Sequence, residues 1–299
     1  AILGFVNFAV SLSTAPMLKL NAVNSFLDSA VGLWELPLRV PLPRERLELV
    51  DAIRRKLPAS FSVITDGRRS QTVELTSEEL HNTFLPLCLA IKECEDHAAS
   101  QGRRCLVGIV GPAGAGKSTF AETVSRVYDI TCRALDPAHS SSCTILSGDG
   151  YHLPNDVLQT TPAPPLPGIA PGEKLAKIKG LPPTMDVRRC VEDLRRLRAA
   201  PGEAVPLPRY DRTLHDPVQG AVTVAPGQRT VLVEGVYLLH DEDGWQEVAP
   251  LLDLTVYLDV PRELSKARLV ERKVRNGGDG AAVARHFDLV DARGVAIAE

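Results

Sequence analysis

Cys105-Leu-Val-Gly-Ile-Val110 runs directly into Gly111-Pro-Ala-Gly-Ala-Gly116-Lys117-Ser118-Thr119. The first six residues are apolar and partly β-branched, the pattern of a strand buried on both faces. The next eight fit G-x-x-x-x-G-K-[ST]. Residues 119–128 then place Phe120, Ala121, Val124, Val127 and Tyr128 on one helical face. A strand, a glycine-rich turn and an amphipathic helix form the context a phosphate-binding loop requires. Gly111, Gly114 and Gly116, with the small Ala113 and Ala115 between them, let the backbone turn its N–H groups inward. Those groups and the helix N-terminus hold phosphate oxygens. Lys117 has the reach for the β- and γ-phosphates of a nucleotide, the Ser118 hydroxyl can ligate Mg²⁺, and Thr119 opens the helix.

Working outward, strand-like runs alternate with helical ones after Gly102. Cys143-Thr-Ile-Leu146, Thr230-Val-Leu-Val233 and Leu254-Thr-Val-Tyr-Leu258 read as buried strands, and Asp186 is placed to cap a helix through Cys190, Leu194 and Leu197. This rhythm predicts an α/β fold with a mainly parallel sheet covered on both faces. The proline-rich residues 160–171 read as a loop. No N-K-x-D run occurs, which argues against a guanine-specific site.

Three further segments carry chemistry. Gly148-Asp149-Gly150-Tyr151-His152 follows the second strand, so Asp149 falls at the carboxyl edge of the sheet beside the phosphate site, where it can accept a hydroxyl proton. Alone, Asp-Gly is a common turn. Val231-Leu-Val-Glu234 ends an apolar strand in a carboxylate, the position needed beside a metal ion and its waters. Arg268, Arg272 and Arg275 share one predicted helix face before Gly277-Gly278-Asp279-Gly280, as a cationic lid or an ordinary solvated face would.

Residues 1–100 carry no such chemistry. Helical spacing covers residues 20–34, and a second helix runs from Pro43 to about Leu57 with Leu47, Val50, Ile53 and Leu57 inward. Two alternating runs around Asp66-Gly67 predict a hairpin. Thr76 or Ser77 can cap a helix reaching about His97, with Glu79 placed as in a capping box after Thr76, and Pro86 should kink or divide that helix. No charged side chain precedes Lys19. The apolar start is short and interrupted for a membrane span, so it is expected either to pack on its own core or to dock on a partner or membrane face.

Composition narrows the classes. Across 299 residues Lys+Arg is 34 and Asp+Glu 37, for a net charge of −3. That balance, with aromatics at 5%, disfavours a nucleic-acid binder. Six cysteines without C-x-x-C pairs read as free thiols of a reducing, intracellular compartment. That means cytoplasm, or a mitochondrial or plastid interior if the missing initial Met reflects removal of a transit peptide.

The order of these motifs resembles the P-loop kinase family of uridine kinase, phosphoribulokinase and pantothenate kinase, in its nucleoside/sugar-kinase-like branch. The segments that carry it are GPAGAGKST at 111–119, DGYHLPNDVL at 149–158, KGLPPTMD at 179–186, PRYDRTLHDPV at 208–218 and EGVYLL at 234–239. The resemblance implies a P-loop three-layer sandwich over residues 101–299, with the first hundred residues as an α+β extension. It implies that ATP and Mg²⁺ bind through the loop, Glu234, Arg268 and Arg272. It implies that Asp149 is the base and that His152, Arg209, Tyr210 and His215 line the acceptor site. The arginine helix would be a lid near 262–285. The expected activity is phosphoryl transfer from ATP to an alcohol group of a small metabolite. The rival is a kinase fold kept as an accessory subunit, docked through residues 1–34. The intact Lys117, Ser118, Asp149 and Glu234 oppose that rival.

Overall fold

The computed structural model describes residues 7–12, 18–20, 43–58, 60–64, 70–138, 143–275 and 277–291. Of the helix expected over 20–34 only Leu20 is among these, where it ends a strand, and residues 21–34 lie outside, as does the turn of the predicted hairpin. The central sheet has six strands among the described residues. They are β1 (Asn7–Leu12), β2 (Leu18–Leu20), β5 (Cys105–Val110), β6 (Thr144–Ser147), β9 (Thr230–Gly235) and β10 (Leu254–Asp259), in the order β2-β1-β10-β5-β9-β6. The four strands from β10 to β6 are parallel, and β1 joins β10 antiparallel with Asn7 opposite Asp259. Residues 7–12 therefore extend the sheet, which is the self-packed alternative expected for the apolar start.

One face of the sheet is covered by α3 (Lys117–Leu135) and, beyond it, by the N-terminal elements. These are α1 (Pro43–Lys56), the hairpin β3 (Ser60–Ile64) and β4 (Ser70–Glu74), and α2 (Leu85–Ser100). A single apolar cluster runs from Ile53 and Phe61 through Phe84, Ile91 and Phe120 to Val107 and Leu258. The packing is thus continuous across residue 100. The other face carries α5 (Val187–Ala199) and the hairpin β7 (Val205–Asp211) and β8 (Asp216–Val224), closed by Tyr237 and Trp245.

Most local expectations follow their physical cause. Thr76 accepts from Glu79 N at 3.1 Å while the Glu79 carboxylate takes Thr76 N at 2.8 Å. Pro86 does divide the helix. A π turn over Leu80–Phe84 precedes α2, because the proline has no N–H and its ring crowds the preceding turn. Asp186 caps α5 by accepting from Arg189 N at 3.1 Å. Leu47 is a correction. It is 57% exposed, while Val50, Ile53 and Leu57 are buried. The β7–β8 hairpin is the larger omission, since Pro206 and Pro208 obscure the alternation of Val205 and Leu207.

Candidate active site

The carboxyl ends of β5, β9 and β6 lie side by side, with Val110 opposite Gly235 and Ser147 opposite Glu234. The loop leaving β5 turns through Gly114 (φ 85°) and Gly116 (φ 95°). A Cβ on Gly114 would fall 2.4 Å from Ser265 O, on helix α6 (Arg262–Arg275), so only glycine lets α6 lie on the loop. Gly116 caps α3 without a side-chain hydrogen bond, which leaves the first amides of that helix facing the loop. Ala115 is buried, and its N–H donates to Pro112 O at 3.1 Å. Lys117 Nζ folds onto Pro112 O at 3.0 Å. Burial lowers its pKa, opposed by Glu234 and Asp149.

Glu234 ties the loop to the sheet. Its Oε1 accepts from Ser118 Oγ at 3.0 Å and from Ser147 Oγ at 2.6 Å. Burial raises its pKa, Lys117 pulls the other way, and Asp149 adds to the rise.

Asp149 sits in the 3₁₀ turn Gly148–Tyr151 after β6. A Cβ on Gly150 would lie 2.7 Å from Pro208 O, so this glycine admits the β7 backbone beside Asp149. Arg212, just beyond β7, places Nη2 2.5 Å from Asp149 Oδ2. Burial alone would raise Asp149. The cations Arg212, His152, Lys117 and Arg272 outweigh that and hold its carboxyl at about 2. His152 Nδ1 lies 2.8 Å from Asp149 O, and burial lowers the ring's pKa. The His152 and Tyr210 ring centroids are 5.2 Å apart. Lys179 Nζ and the Arg212 guanidinium carbon lie 5.2 and 5.3 Å from the Tyr210 centroid.

A family model described as the Phosphoribulokinase / Uridine kinase family matches residues 182–288, from the helical cap before α5 to the chain beyond α6. The uncharacterized protein YggC of Escherichia coli K12 is 31% identical over 202 residues, spanning 67% of this chain and 74% of YggC. The chain belongs to the phosphoribulokinase/uridine kinase family. An ATP-dependent kinase-like protein of Aspergillus versicolor, notR', is 34% identical over 132 residues, covering 43% of this chain and 72% of its own. Among solved structures, a candidate fructose transport system kinase from Silicibacter sp. TM1040 superposes with a TM-score of 0.60 at 28% identity. It covers 72% of this chain and 93% of that one. The fold is therefore that of the P-loop kinases, as the motif order implied.

Against this family frame, the residues expected at the site divide. Lys117, Ser118, Asp149 and Glu234 converge, and His152 and Tyr210 lie beside Asp149. Arg268 Nη1 reaches Ala115 O at 3.5 Å, and Arg272 acts through space on Lys117 and Asp149. Arg275 instead pairs with Glu271 on its own helix. Three residues stand differently from expectation. Thr119 is buried and turns its hydroxyl toward Gln71 Oε1 on β4, 3.5 Å away. The Arg209 side chain is exposed, on the opposite strand face from Pro208. His215 is exposed in a left-handed conformation (φ 54°), and it meets the cluster through its carbonyl, which accepts from Asn155 Nδ2 and Lys179 Nζ at 2.9 Å each.

Arg212, Lys179 and Asn155 were not singled out from sequence. All three lie inside the quoted family segments. Their signal is spatial, because Lys179 reaches Asn155 across 24 residues and Arg212 reaches Asp149 across 63.

Proposed function

We propose that this kinase transfers the γ-phosphoryl group of ATP to a hydroxyl of a small metabolite, with Mg²⁺ as cofactor. The observation that carries the reading is the meeting of Lys117, the Ser118–Glu234 pair and Asp149 at the ends of three adjacent parallel strands. The loop amides, the N-terminus of α3 and Lys117 would hold the phosphates. The Ser118 hydroxyl and the Glu234 carboxylate are hard oxygen donors 3.0 Å apart, which suits a small divalent cation. Mg²⁺ bound there would supply charge neutralisation at the phosphates. Arg268 and Arg272 bring further positive charge to the same side.

Asp149 faces the acceptor. Held at about 2, its carboxyl is anionic throughout the neutral range. It accepts the hydrogen bond of the acceptor hydroxyl, orients that oxygen, and takes the proton as the new P–O bond forms. A weakly basic carboxylate suffices for this, because phosphoryl transfer depends chiefly on positioning and electrostatics. The acceptor class spans nucleosides, sugars and pantothenate-like alcohols. The test is ADP release followed with Mg-ATP and a panel of such alcohols. An acceptor-dependent rate that needs Mg²⁺ supports the reading. Failure of the chain to bind ATP, or the same ADP release with and without every acceptor, refutes it.

A further inference from the structure

Two cationic side chains lie beside Tyr210 next to Asp149, and the nearer of them to the carboxylate, Arg212, also acts through space on Lys117 and Glu234. Arg212 comes from the β7–β8 turn and Lys179 from the segment before α5. Their charged heads lie 5.3 and 5.2 Å from the centroid of one ring, Tyr210. Each cation in so half-buried a place needs negative charge or polar oxygens close by. Asp149 supplies one such charge, to Arg212. Lys179 is held otherwise, donating to two neutral oxygens, Asn155 Oδ1 at 2.7 Å and His215 O at 2.9 Å. The carboxylate near it is Asp216, which acts through space while its Oδ1 accepts Asn155 N at 2.9 Å. Burial lowers the Lys179 pKa, so the ammonium is partly stripped of water, with no carboxylate in direct contact among the described residues.

The nucleotide's phosphates have cations of their own. Lys117 and Arg268 already meet the loop. A neutral polyol or nucleoside would bring nothing ionic to Arg212 and Lys179. We propose that the acceptor carries an anionic group, a carboxylate or a phosphate, which Arg212 and Lys179 hold beside the Tyr210 ring while Asp149 receives the hydroxyl. This rests on the kinase reading of the same site and narrows its acceptor to a small hydroxy acid or a phosphorylated sugar. Arg212 offers a planar fork suited to either anion, and Lys179 a point charge. The phosphoryl chemistry is unchanged. The acceptor oxygen bonds to the γ-phosphorus, the bond to the β–γ bridging oxygen breaks, ADP leaves, and Asp149 takes the proton.

The test uses matched pairs titrated calorimetrically into the full chain loaded with Mg²⁺ and a non-hydrolysable ATP analogue. D-glycerate is set against glycerol, and ribose 5-phosphate against ribose. Binding of the analogue is measured first, and its absence refutes the kinase reading separately. With the analogue bound, the charged member of at least one pair should bind about tenfold or more tightly than its neutral partner, the scale of a charge-assisted contact. The carboxylate and phosphate pairs tell the two anions apart. The preference is a ratio within one protein, so a general loss of binding cancels. Arg212→Gln should shrink it to within about twofold, and Lys179→Gln should reduce it in part. If Arg212→Gln does not fold, Lys179→Gln carries the test. Equal binding of charged and neutral members, no binding of either anion, or a preference that survives in the folded variants overturns the proposal.

Discussion

Arg104 stands immediately before β5 and is fully buried. Its guanidinium binds no carboxylate among the described residues. It donates instead to six backbone carbonyls: Gln228 O at 2.9 Å, Leu197 O at 3.1, Ala200 O at 2.6, Pro201 O at 3.2, Glu203 O at 2.7 and Ala225 O at 3.3. One side chain thus joins the end of α5, the turn after it and the turn before β9 to the start of the strand that leads into the phosphate loop. Arg104→Met keeps much of the apolar stem and removes every donor. Each stranded carbonyl costs about 1–3 kcal/mol if it stays dry. The Leu197 contact is buried, while the other five are only partly so and admit water. The expected loss is therefore not sixfold but about 3–5 kcal/mol, the full cost for the buried carbonyl and a fraction of it for each of the others. That is a large share of a domain stability of roughly 5–15 kcal/mol. In a chain this long it lowers Tm by on the order of 10 °C. Arg104→Lys retains the charge with three donors and should fall between. Thermal and urea unfolding of the three proteins measure this. A fall of less than about 1 kcal/mol for Arg104→Met, or Arg104→Lys no better than Met, refutes the argument that the fork holds these turns together.

Lys117→Ala should weaken ATP binding and abolish transfer while leaving the fold intact, since its ammonium rests on Pro112 O in the half-buried loop rather than in the core; unchanged ATP affinity by calorimetry would remove the site assignment. Asp149→Asn should still bind ATP and lose roughly two or more orders of magnitude in turnover, the scale of a proton-accepting group; an unchanged rate would leave Asp149 no part in the chemistry. Asp149 also makes a pH prediction. Its carboxyl lies near 2 in the fold against about 3.9 unfolded, so its contribution is complete above about pH 4–5 and is lost as pH falls toward 2. The stability gap between wild type and Asp149→Asn should close over that window in acid-unfolding curves, and a gap constant from pH 6 to 2 contradicts the ion pair with Arg212. Deleting residues 1–20 strips β1 and β2 from the edge of β10, so Tm should fall and the bared edge should self-associate; a monomer of unchanged Tm by light scattering and calorimetry refutes this role for the segment.

The sequence is most legible where local physics and the final fold ask for the same residues. β5 needs an apolar run and the loop needs glycine, so Cys105-Leu-Val-Gly-Ile-Val110 and Gly111 to Gly116 state their structure directly. The capping box at Thr76 and the cap at Asp186 are equally local. Glu234 was readable because a carboxylate ending an apolar strand has few structural uses. The acceptor side was readable only as composition. Asp149, Lys179, Tyr210 and Arg212 meet because Gly150 lets β7 pass close to the turn after β6, and no spacing along the chain encodes that approach. The same limit explains Arg209 and His215. Their segment is identified, but strict alternation would set Arg209 on the buried face with Val205 and Leu207, and it is the register shift between Leu207 and Arg209, in a hairpin hidden by its prolines, that turns it outward. β1 was unreadable for another reason. Its partner β10 lies nearly 250 residues away, and a short apolar run does not say which edge it will join.

The C-terminal stretch shows how the two halves of the site come under one element. α6 presses its Ser265 carbonyl against Gly114 and sends Arg268 to Ala115 O, both on the nucleotide side. The helix α7 (Gly280–His286) then folds back, and Phe287 is buried against Leu269 of α6. Lys266 fixes the return by donating to both oxygens of Asp288, at 2.7 and 2.9 Å. Three residues after Phe287, Val290 enters a separate apolar cluster with Leu158, Leu175, Ile178 and Leu181, on the segment that carries Asn155 and Lys179. The stretch from α6 to residue 291 therefore packs both on the Gly114 loop and on the segment that carries Lys179. Moving α6 off the loop without moving the acceptor segment would pull Val290 or Phe287 out of its cluster, at roughly 1.5–3 kcal/mol for each fully buried side chain. The chain between Gly114 and Lys179 is thus linked through contacts rather than through the sheet, and the residues that build the link are apolar ones with no catalytic signature to announce them.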